Sequence, residues 1–243
     1  MQIYFNLSCG RFTLDLPADT LFRTQLLIQN GYFGKGPNIT DTEFAIAVVN
    51  NYTPILERSL KYLNNITELK VLDIGAGNSI IDIVLAKIYP DARFVLLDGN
   101  EWNDNPNLHS AQFKPYNHWV HVENTIKLNN LDTNRFKFVG LDYDFGDQPN
   151  YILSYGSMGL HYSVETYLSK IHTALADNGV LAIGPILNIN SQVQTVSKLF
   201  ETLEIVELTN FRSREKLQLD QWNQYFAQGF SGPFAHAGVW RKV

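Results

Sequence analysis

Residues 71–79 read VLDIGAGNS, an apolar run that leads directly into a Gly-x-Gly turn and then into a helical pattern. Glycine permits the tight turn and lets a ligand lie against bare backbone. The start of the following helix offers N–H groups that have no partner within the helix. A second apolar run, RFVLL (93–97), is followed by Asp98. A carboxylate about twenty residues beyond the turn can accept hydrogen bonds from both ribose hydroxyls of an adenosine, so we predict a nucleoside site.

Two side chains around the turn bear on which nucleoside this is. The dinucleotide fingerprint has a third glycine three residues after the second, where this chain has Ile80, and that disfavours an NAD-dependent oxidoreductase. Asp73, inside the strand, would repel a phosphate and suits a cation or a water bridging to one. S-adenosylmethionine carries an ammonium and a sulfonium and no phosphate, so its charges match this site better.

Beyond Leu69 the chain alternates short apolar runs with amphipathic helical stretches. The predicted strands are 70–74, 93–97, 135–139, 151–154, 180–184, 204–209 and 237–242, and the predicted helices are 79–88, 116–130, 164–176, 191–203 and 218–226. This alternation predicts an α/β fold whose sheet is mostly parallel, has an antiparallel last strand and carries helices on both faces.

The residues before Leu69 have a different pattern. A small hairpin is expected over 2–7 and 11–16, and a helix over 20–29. Thr40 and Glu43 form a capping-box pattern that begins a helix reaching Leu63, which Pro54 is expected to kink or split. We therefore divide the chain into an N-terminal helical extension, 1–65, that covers the site, and a cofactor-binding domain, 66–243.

The composition of the 243 residues excludes several classes of protein. Hydrophobic residues make up 45% and charged residues 18%, which excludes a disordered chain. The single cysteine, Cys9, excludes a disulfide scaffold and favours a reducing compartment, so we expect a cytoplasmic protein. No apolar run reaches the ~18–20 residues of a membrane span. The net charge of −5 makes nucleic acid an unlikely partner.

Four segments carry a resemblance to a known family. VLDIGAGNS (71–79), followed by FVLLDGNE (94–101), resembles the first two motifs of the class I S-adenosylmethionine-dependent methyltransferases, which have a Rossmann-like sheet. LDYDF (141–145) and NGVLAIGPI (178–186) fit later motifs of the same family. The resemblance covers residues 66–243. The stretch 151–168 is also similar to sugar O-methyltransferases of bacteria.

The resemblance implies S-adenosylmethionine as the cofactor and a set of contacts to it. Asp142 occupies the place of the acid that faces the adenine amino group in the family. The implied cofactor-binding residues are Asp73, Gly75, Ala76, Gly77, Asn78, Asp98, Gly99, Leu141, Asp142 and Ser154. His161 follows the fourth strand and is the candidate general base, with Glu165 and Asp144 as rivals. No metal is expected, because loop acids of this kind are more often solvated than bound to Mg²⁺.

The predicted function is methyl transfer from S-adenosylmethionine to a small-molecule acceptor, with a hydroxyl, for example of a sugar, as the favoured group. At the end of the fourth strand the chain reads LSYGS (153–157) and has no Asn-Pro-Pro-Tyr-type motif, so methylation of amino groups on nucleic-acid bases loses its usual support. Two alternatives stay open: a protein or nucleic-acid methyltransferase, and a non-catalytic nucleoside-binding module on the same fold. The sequence leaves the acceptor and the oligomeric state undetermined.

Overall fold

The computed structural model describes residues 1–18, 40–64, 66–99, 119–159, 163–186, 189–207 and 236–243. The chain divides into two compact units, Met1–Tyr143 and Asp144–Val243. In chain order the elements are β1 Gln2–Leu7, β2 Gly10–Asp15, α1 Asp41–Leu63, β3 Lys70–Ile74, α2 Ile80–Ile88, β4 Arg93–Leu97, α3 Trp119–Leu128, a 3-10 turn Thr133–Arg135, β5 Phe136–Val139, β6 Tyr151–Tyr155, α4 Glu165–Ala174, β7 Val180–Ile186, α5 Ile189–Ser197, β8 Glu201–Glu207 and β9 His236–Arg241.

Each unit contains a run of hydrogen-bonded parallel or mixed strands that carries its fold, three strands in the first unit and four in the second. In the first unit the order is β5-β4-β3, and all three strands are parallel. The side chains of β3 and β4 are mostly buried and apolar, as expected of a parallel sheet that helices cover. In the second unit the order is β6-β7-β9-β8, and β9 runs antiparallel to both of its neighbours. The predicted α/β class and the antiparallel last strand are confirmed.

The first unit also contains the hairpin and the long helix that the sequence predicts before Leu69. β1 and β2 pair antiparallel in a separate two-stranded sheet. The predicted capping box is present, because Glu43 N donates to Thr40 Oγ1 at 3.2 Å and Thr40 N donates to Glu43 Oε2 at 3.0 Å. The helix is not split at Pro54 but continues through it. Apolar side chains are buried both before and after Pro54, so tertiary packing holds both halves despite the lost backbone hydrogen bond.

The boundary between the last helix and strand of the second unit differs from the prediction. The sequence predicts a helix to Leu203, but α5 ends at Ser197 and β8 begins at Glu201. The helical spacing of apolar residues misled the prediction here, because β8 pairs with β9 from the partners Glu201 and Arg241 onward. The helices predicted over 20–29 and 218–226 lie outside the described residues. The role of residues 1–65 as a cover for the site stays a prediction.

Candidate functional site

The turn after β3 has the backbone conformation that its glycines permit. Gly75 and Gly77 have φ angles of 80° and 53°, in the left-handed region. The N–H groups of Gly75 and Ala76 donate to the carbonyl of Leu97 at 2.7 and 3.2 Å. The turn is therefore tied to the last residue of β4, and α2 begins directly after it at Ile80.

Asp98 lies at the carboxyl end of β4 and is part of the same hydrogen-bonded arrangement. Its Oδ2 accepts from the N–H of Gly77 at 2.7 Å, and its own N–H donates to the carbonyl of Val139 at 3.2 Å. Burial raises the pKa of this carboxyl to about 6, while backbone hydrogen bonds from Gly77 and Gly99 act in the opposite direction. At pH 7 the group is mainly an anion held beside the glycine turn.

Two further carboxyls are buried in the same unit. Asp73, on β3, is 4% exposed, and Asp82, on α2, is fully buried. Burial raises the pKa of Asp82 to about 7. The pKa of Asp73 lies well above its ordinary value, first because of burial and then because Asp82 and Asp98 add negative charge nearby. Sequence reasoning missed Asp82, although an acid within the apolar run IIDIVLA (80–86) was a signal available for it.

The other residues proposed for cofactor binding differ widely in exposure. Asn78, in the turn, is buried at 1% exposure. Leu141 and Asp142, just after β5, are both exposed, and Leu141 has 60% of its surface open. Ser154, on β6 in the second unit, is fully buried, and its Oγ accepts from the N–H of Met158 at 3.0 Å. The structure thus brings the turn and Asp98 into direct contact, while Ser154 makes a local bond within its own unit.

Of the three candidate catalytic residues, Glu165 and Asp144 belong to the second unit. His161 lies outside the described residues. Glu165 is the exposed first residue of α4, and its Oε1 accepts from Thr195 Oγ1 at 3.4 Å. Asp144 is exposed, and its Oδ1 accepts from the N–H of Gly146 at 3.3 Å. Both rivals of His161 therefore accept hydrogen bonds from residues of their own unit.

Gln192, on α5, is a residue that sequence reasoning did not single out. Its Oε1 accepts from the N–H of Val164 at 3.1 Å, and its Nε2 donates to the carbonyl of Gly159 at 3.3 Å. These two partners flank the segment that contains His161. One side chain thus fixes the chain on both sides of that segment, and no local sequence signal links a glutamine to backbone so far away.

The described ranges contain neither a candidate metal cluster nor a candidate membrane-spanning helix. Within them, no three His, Cys, Asp or Glu side chains are grouped so that they could hold a metal ion. None of the helices in this part of the chain combines the length and apolar character needed to cross a bilayer.

Comparison with known proteins gives matches to solved structures alone. No family model and no curated protein matches the chain. StiE O-MT matches with a TM-score of 0.55 at 15% identity, over 93% of this chain and 83% of that one. Coclaurine N-methyltransferase, bound to N-methylheliamine and SAH, matches with a TM-score of 0.55 at 13% identity, over 90% and 78%. The [4+2]-cyclase SpnF matches with a TM-score of 0.55 at 11% identity, over 93% and 98%.

These likenesses define the fold. At such identities they show that the chain has the fold of the class I S-adenosylmethionine-dependent methyltransferases, which confirms the resemblance seen in the sequence. The matched proteins include an O-methyltransferase, an N-methyltransferase and a cyclase, so the fold alone does not determine the reaction.

Proposed function

We propose that the chain binds S-adenosylmethionine at the turn 75–79 and Asp98, and transfers its methyl group to a hydroxyl of a small molecule. The observation that carries the proposal is the carboxyl of Asp98, whose Oδ2 accepts from Gly77 N–H at 2.7 Å at the carboxyl end of a parallel strand. In open α/β sheets ligands bind at that end of the strands. The class I methyltransferase fold supports the same conclusion.

The donor set around the turn fits this cofactor better than a dinucleotide. The Asp98 carboxylate can accept hydrogen bonds from ribose hydroxyls. Asp73 is buried, and no donor among the described residues hydrogen-bonds its Oδ1, which suits a cationic group and would oppose a phosphate. Ile80 stands where a dinucleotide site has its third glycine, and it is the buried first residue of α2.

When bound, S-adenosylmethionine supplies a methyl group attached to a cationic sulfur. The leaving group is then a neutral thioether. The remaining work of the protein is to orient the reactants and exclude water. Asp98 accepts hydrogen bonds from the ribose, and Asp73 faces the ammonium end. We assign adenine contacts to Leu141 and Asp142, whose exposure next to β5 leaves them accessible. Ala76, Asn78 and Gly99 complete the proposed lining.

We assign the role of general base to His161. A neutral imidazole can accept the proton of an acceptor hydroxyl, and base catalysis of this kind contributes roughly 10²–10⁴-fold. The hydrogen bonds between the Gln192 side chain and the backbone of Gly159 and Val164 support this assignment, because these two residues precede and follow His161 in the sequence. Glu165 and Asp144 remain the alternative bases.

A second candidate function is ligand binding without methyl transfer. One observation favours it: the [4+2]-cyclase SpnF has the same fold, with a match over 98% of its chain. Under this alternative the turn and Asp98 would bind the nucleoside, and no acceptor would be methylated.

Calorimetric titration tests the cofactor assignment. S-adenosylhomocysteine is expected to bind and NAD is not. Asp98→Ala should weaken binding by about 2 kcal/mol, or roughly thirtyfold, because the ribose hydroxyls lose a charged acceptor. Asp91→Asn, which removes an exposed acid before the amino end of β4, should leave affinity unchanged. Binding of NAD in preference to S-adenosylhomocysteine, or an unchanged affinity in Asp98→Ala, would refute the assignment.

A transfer assay separates the two candidate functions. S-adenosylhomocysteine release is measured over a panel of sugars, other hydroxyl compounds and amines. Release with hydroxyl acceptors supports methyl transfer, and tight binding with no release over the whole panel supports the alternative. With an acceptor found, His161→Ala should lower turnover at least tenfold and leave cofactor affinity intact. Wild-type turnover with an unchanged pH profile would remove His161 from the mechanism.

A further inference from the structure

A buried acid in an otherwise largely apolar helix is the observation from which this inference begins. Asp82 is in the first turn of α2, and its neighbours Ile81 and Ile83 are apolar and buried. Its side chain has no exposure to solvent, and no donor from another described residue hydrogen-bonds either of its carboxyl oxygens. A carboxylate buried in this way costs several kcal/mol unless a proton or a cation accompanies it.

The group that faces Asp82 is the carboxyl of Asp73, on β3 of the same unit. The two side chains are close enough for one carboxyl to hydrogen-bond the other. Ionised carboxylates only accept hydrogen bonds, so this bond exists only when one of the two carries a proton. The other group acting on Asp73 is Asp98, which is also acidic. In the part of the chain that the structure describes, no cation contributes to the charge around the pair.

We propose that Asp73 and Asp82 share one proton in the ligand-free protein and release it when a cationic ligand binds beside Asp73. Two buried carboxylates in contact cannot both be ionised without compensation, as in other carboxyl dyads. Burial raises the pKa of both groups, that of Asp82 to about 7, so the proton is present near neutral pH. The inference rests on the proposed function, because it takes the ligand to be S-adenosylmethionine or its product.

The proton balance sets the direction of the effect. The ligand-free pair holds one proton and one negative charge. The ammonium of the ligand supplies the missing counter-charge, so the carboxyl O–H bond breaks, the proton passes to the buffer and the pair becomes doubly negative. Affinity for a cationic ligand therefore rises with pH wherever the ligand-free pair still holds its proton, by at most tenfold per pH unit for one proton.

Proton release can be counted by calorimetry. S-adenosylhomocysteine, whose amino group is cationic at pH 7, is titrated into the full-length protein in phosphate and in Tris, which differ in ionisation enthalpy. We expect a net release of protons on binding at pH 7, because the pair holds a proton before the ligand binds and none afterwards. Asp98 is largely ionised at this pH and adds little.

The matched variant is Asp82→Asn. Its amide has nearly the volume of the carboxyl, carries no charge and can donate to Asp73, which favours the ionised form of Asp73. Binding should persist within tenfold of wild type, while proton release falls at least fivefold. Asp91→Asn, which changes an exposed acid, should release as many protons as wild type.

The outcomes separate this inference from the proposed function. Failure of the wild-type protein to bind S-adenosylhomocysteine overturns both. Binding with no dependence on the buffer, or with equal proton release in Asp82→Asn, overturns the shared proton alone. Should Asp82→Asn fail to fold, the wild-type affinity between pH 6.5 and 8 decides the question: a rise supports the shared proton, and a flat profile overturns it.

Discussion

Ser79 has a backbone conformation that favours glycine. Its φ of 53° lies in the left-handed region, which costs a side-chain-bearing residue roughly 1–2 kcal/mol. It is the N-cap residue of α2, yet its side chain makes no capping hydrogen bond. Its buried Oγ has no hydrogen-bond partner among the described residues. The turn therefore holds strain at the residue that joins the Gly-x-Gly segment to the helix.

This strain can be measured with two substitutions that both remove the hydroxyl. Ser79→Gly should be more stable than Ser79→Ala by about 1 kcal/mol, because relief of the left-handed strain exceeds the roughly 0.4–1 kcal/mol that glycine adds to unfolded-state entropy. Urea denaturation of the two variants gives the difference. Equal stability, or a more stable alanine variant, would show that this residue carries no such strain.

Single residues differ in how well the sequence reveals them. The turn glycines and Asp98 follow from local spacing, and the structure places Asp98 in hydrogen-bond contact with Gly77. The role of Asp82 does not follow from local spacing, because only the packed structure shows that its carboxyl is fully buried and faces Asp73. The contacts of Gln192 cannot be read from local spacing either, because its hydrogen-bond partners Gly159 and Val164 are distant in sequence.

At the level of elements, β9 is built around one glycine and one tryptophan. Trp240 is fully buried, and its Nε1 donates to Ser197 Oγ at 3.2 Å. A Cβ added at Gly238 would lie 2.6–2.7 Å from carbons of the Trp240 ring, closer than van der Waals contact allows. The absence of a side chain at Gly238 therefore makes room for the ring in the core.

Gly238→Ala should destabilise the protein by about 2 kcal/mol, because a buried, hydrogen-bonded ring has to move. Gly146→Ala is the control, since its added Cβ would lie 3.4 Å from the Asp144 carboxyl at an exposed position. That change should stay within about 0.5 kcal/mol of wild type. Chemical denaturation of both variants tests the difference, and equal stabilities would contradict the packing argument.

The sequence predicts the exact bounds of some strands, and the bounds of others incorrectly. β3 and β4 have the predicted bounds, because each is a compact apolar run ended by turn residues or a charged residue. The predicted start of β8 is wrong, because pairing with β9, and not the local sequence pattern, determines where the strand begins. For α1, propensity at Pro54 predicts a kink or a split, but packing keeps the helix continuous.

For the molecule as a whole, the buried acids link stability to pH. Folding raises the pKa of Asp82 to about 7 and that of Asp98 to about 6, from an ordinary value of 3.8. Between about pH 4 and 7 the folded state therefore holds more protons than the unfolded state. The free energy of unfolding therefore falls as pH rises through this window. The upper bound is about 1.4 kcal/mol for each unit by which the pKa of a group differs between the folded and unfolded states.

The ligand-free protein should consequently melt at a higher temperature at pH 5 than at pH 8. Thermal unfolding at a series of pH values measures the trend, and Asp82→Asn should reduce it because one of the titrating groups is gone. Asp91→Asn should keep the wild-type slope. A melting temperature that is constant or higher at pH 8 would show that these carboxyls do not govern stability.

The fold class follows from sequence because alternating strands and helices after Leu69 leave few arrangements open. The division into two compact units between Tyr143 and Asp144 was not predicted, because it depends on long-range packing. The acceptor is also beyond the sequence, since acceptor specificity depends on the shape of a cavity rather than on a motif.

The strand order β7-β9-β8 has a consequence for how the chain is made. During synthesis, β8 leaves the ribosome before β9, although β9 is the strand to which it is hydrogen-bonded. Residues 208–235 must emerge first, at about 5–20 residues per second, so β8 spends a second or more with its edge open. A nascent chain in this state exposes a template for intermolecular pairing, and chaperone dependence should therefore concentrate in the interval between the synthesis of β8 and that of β9.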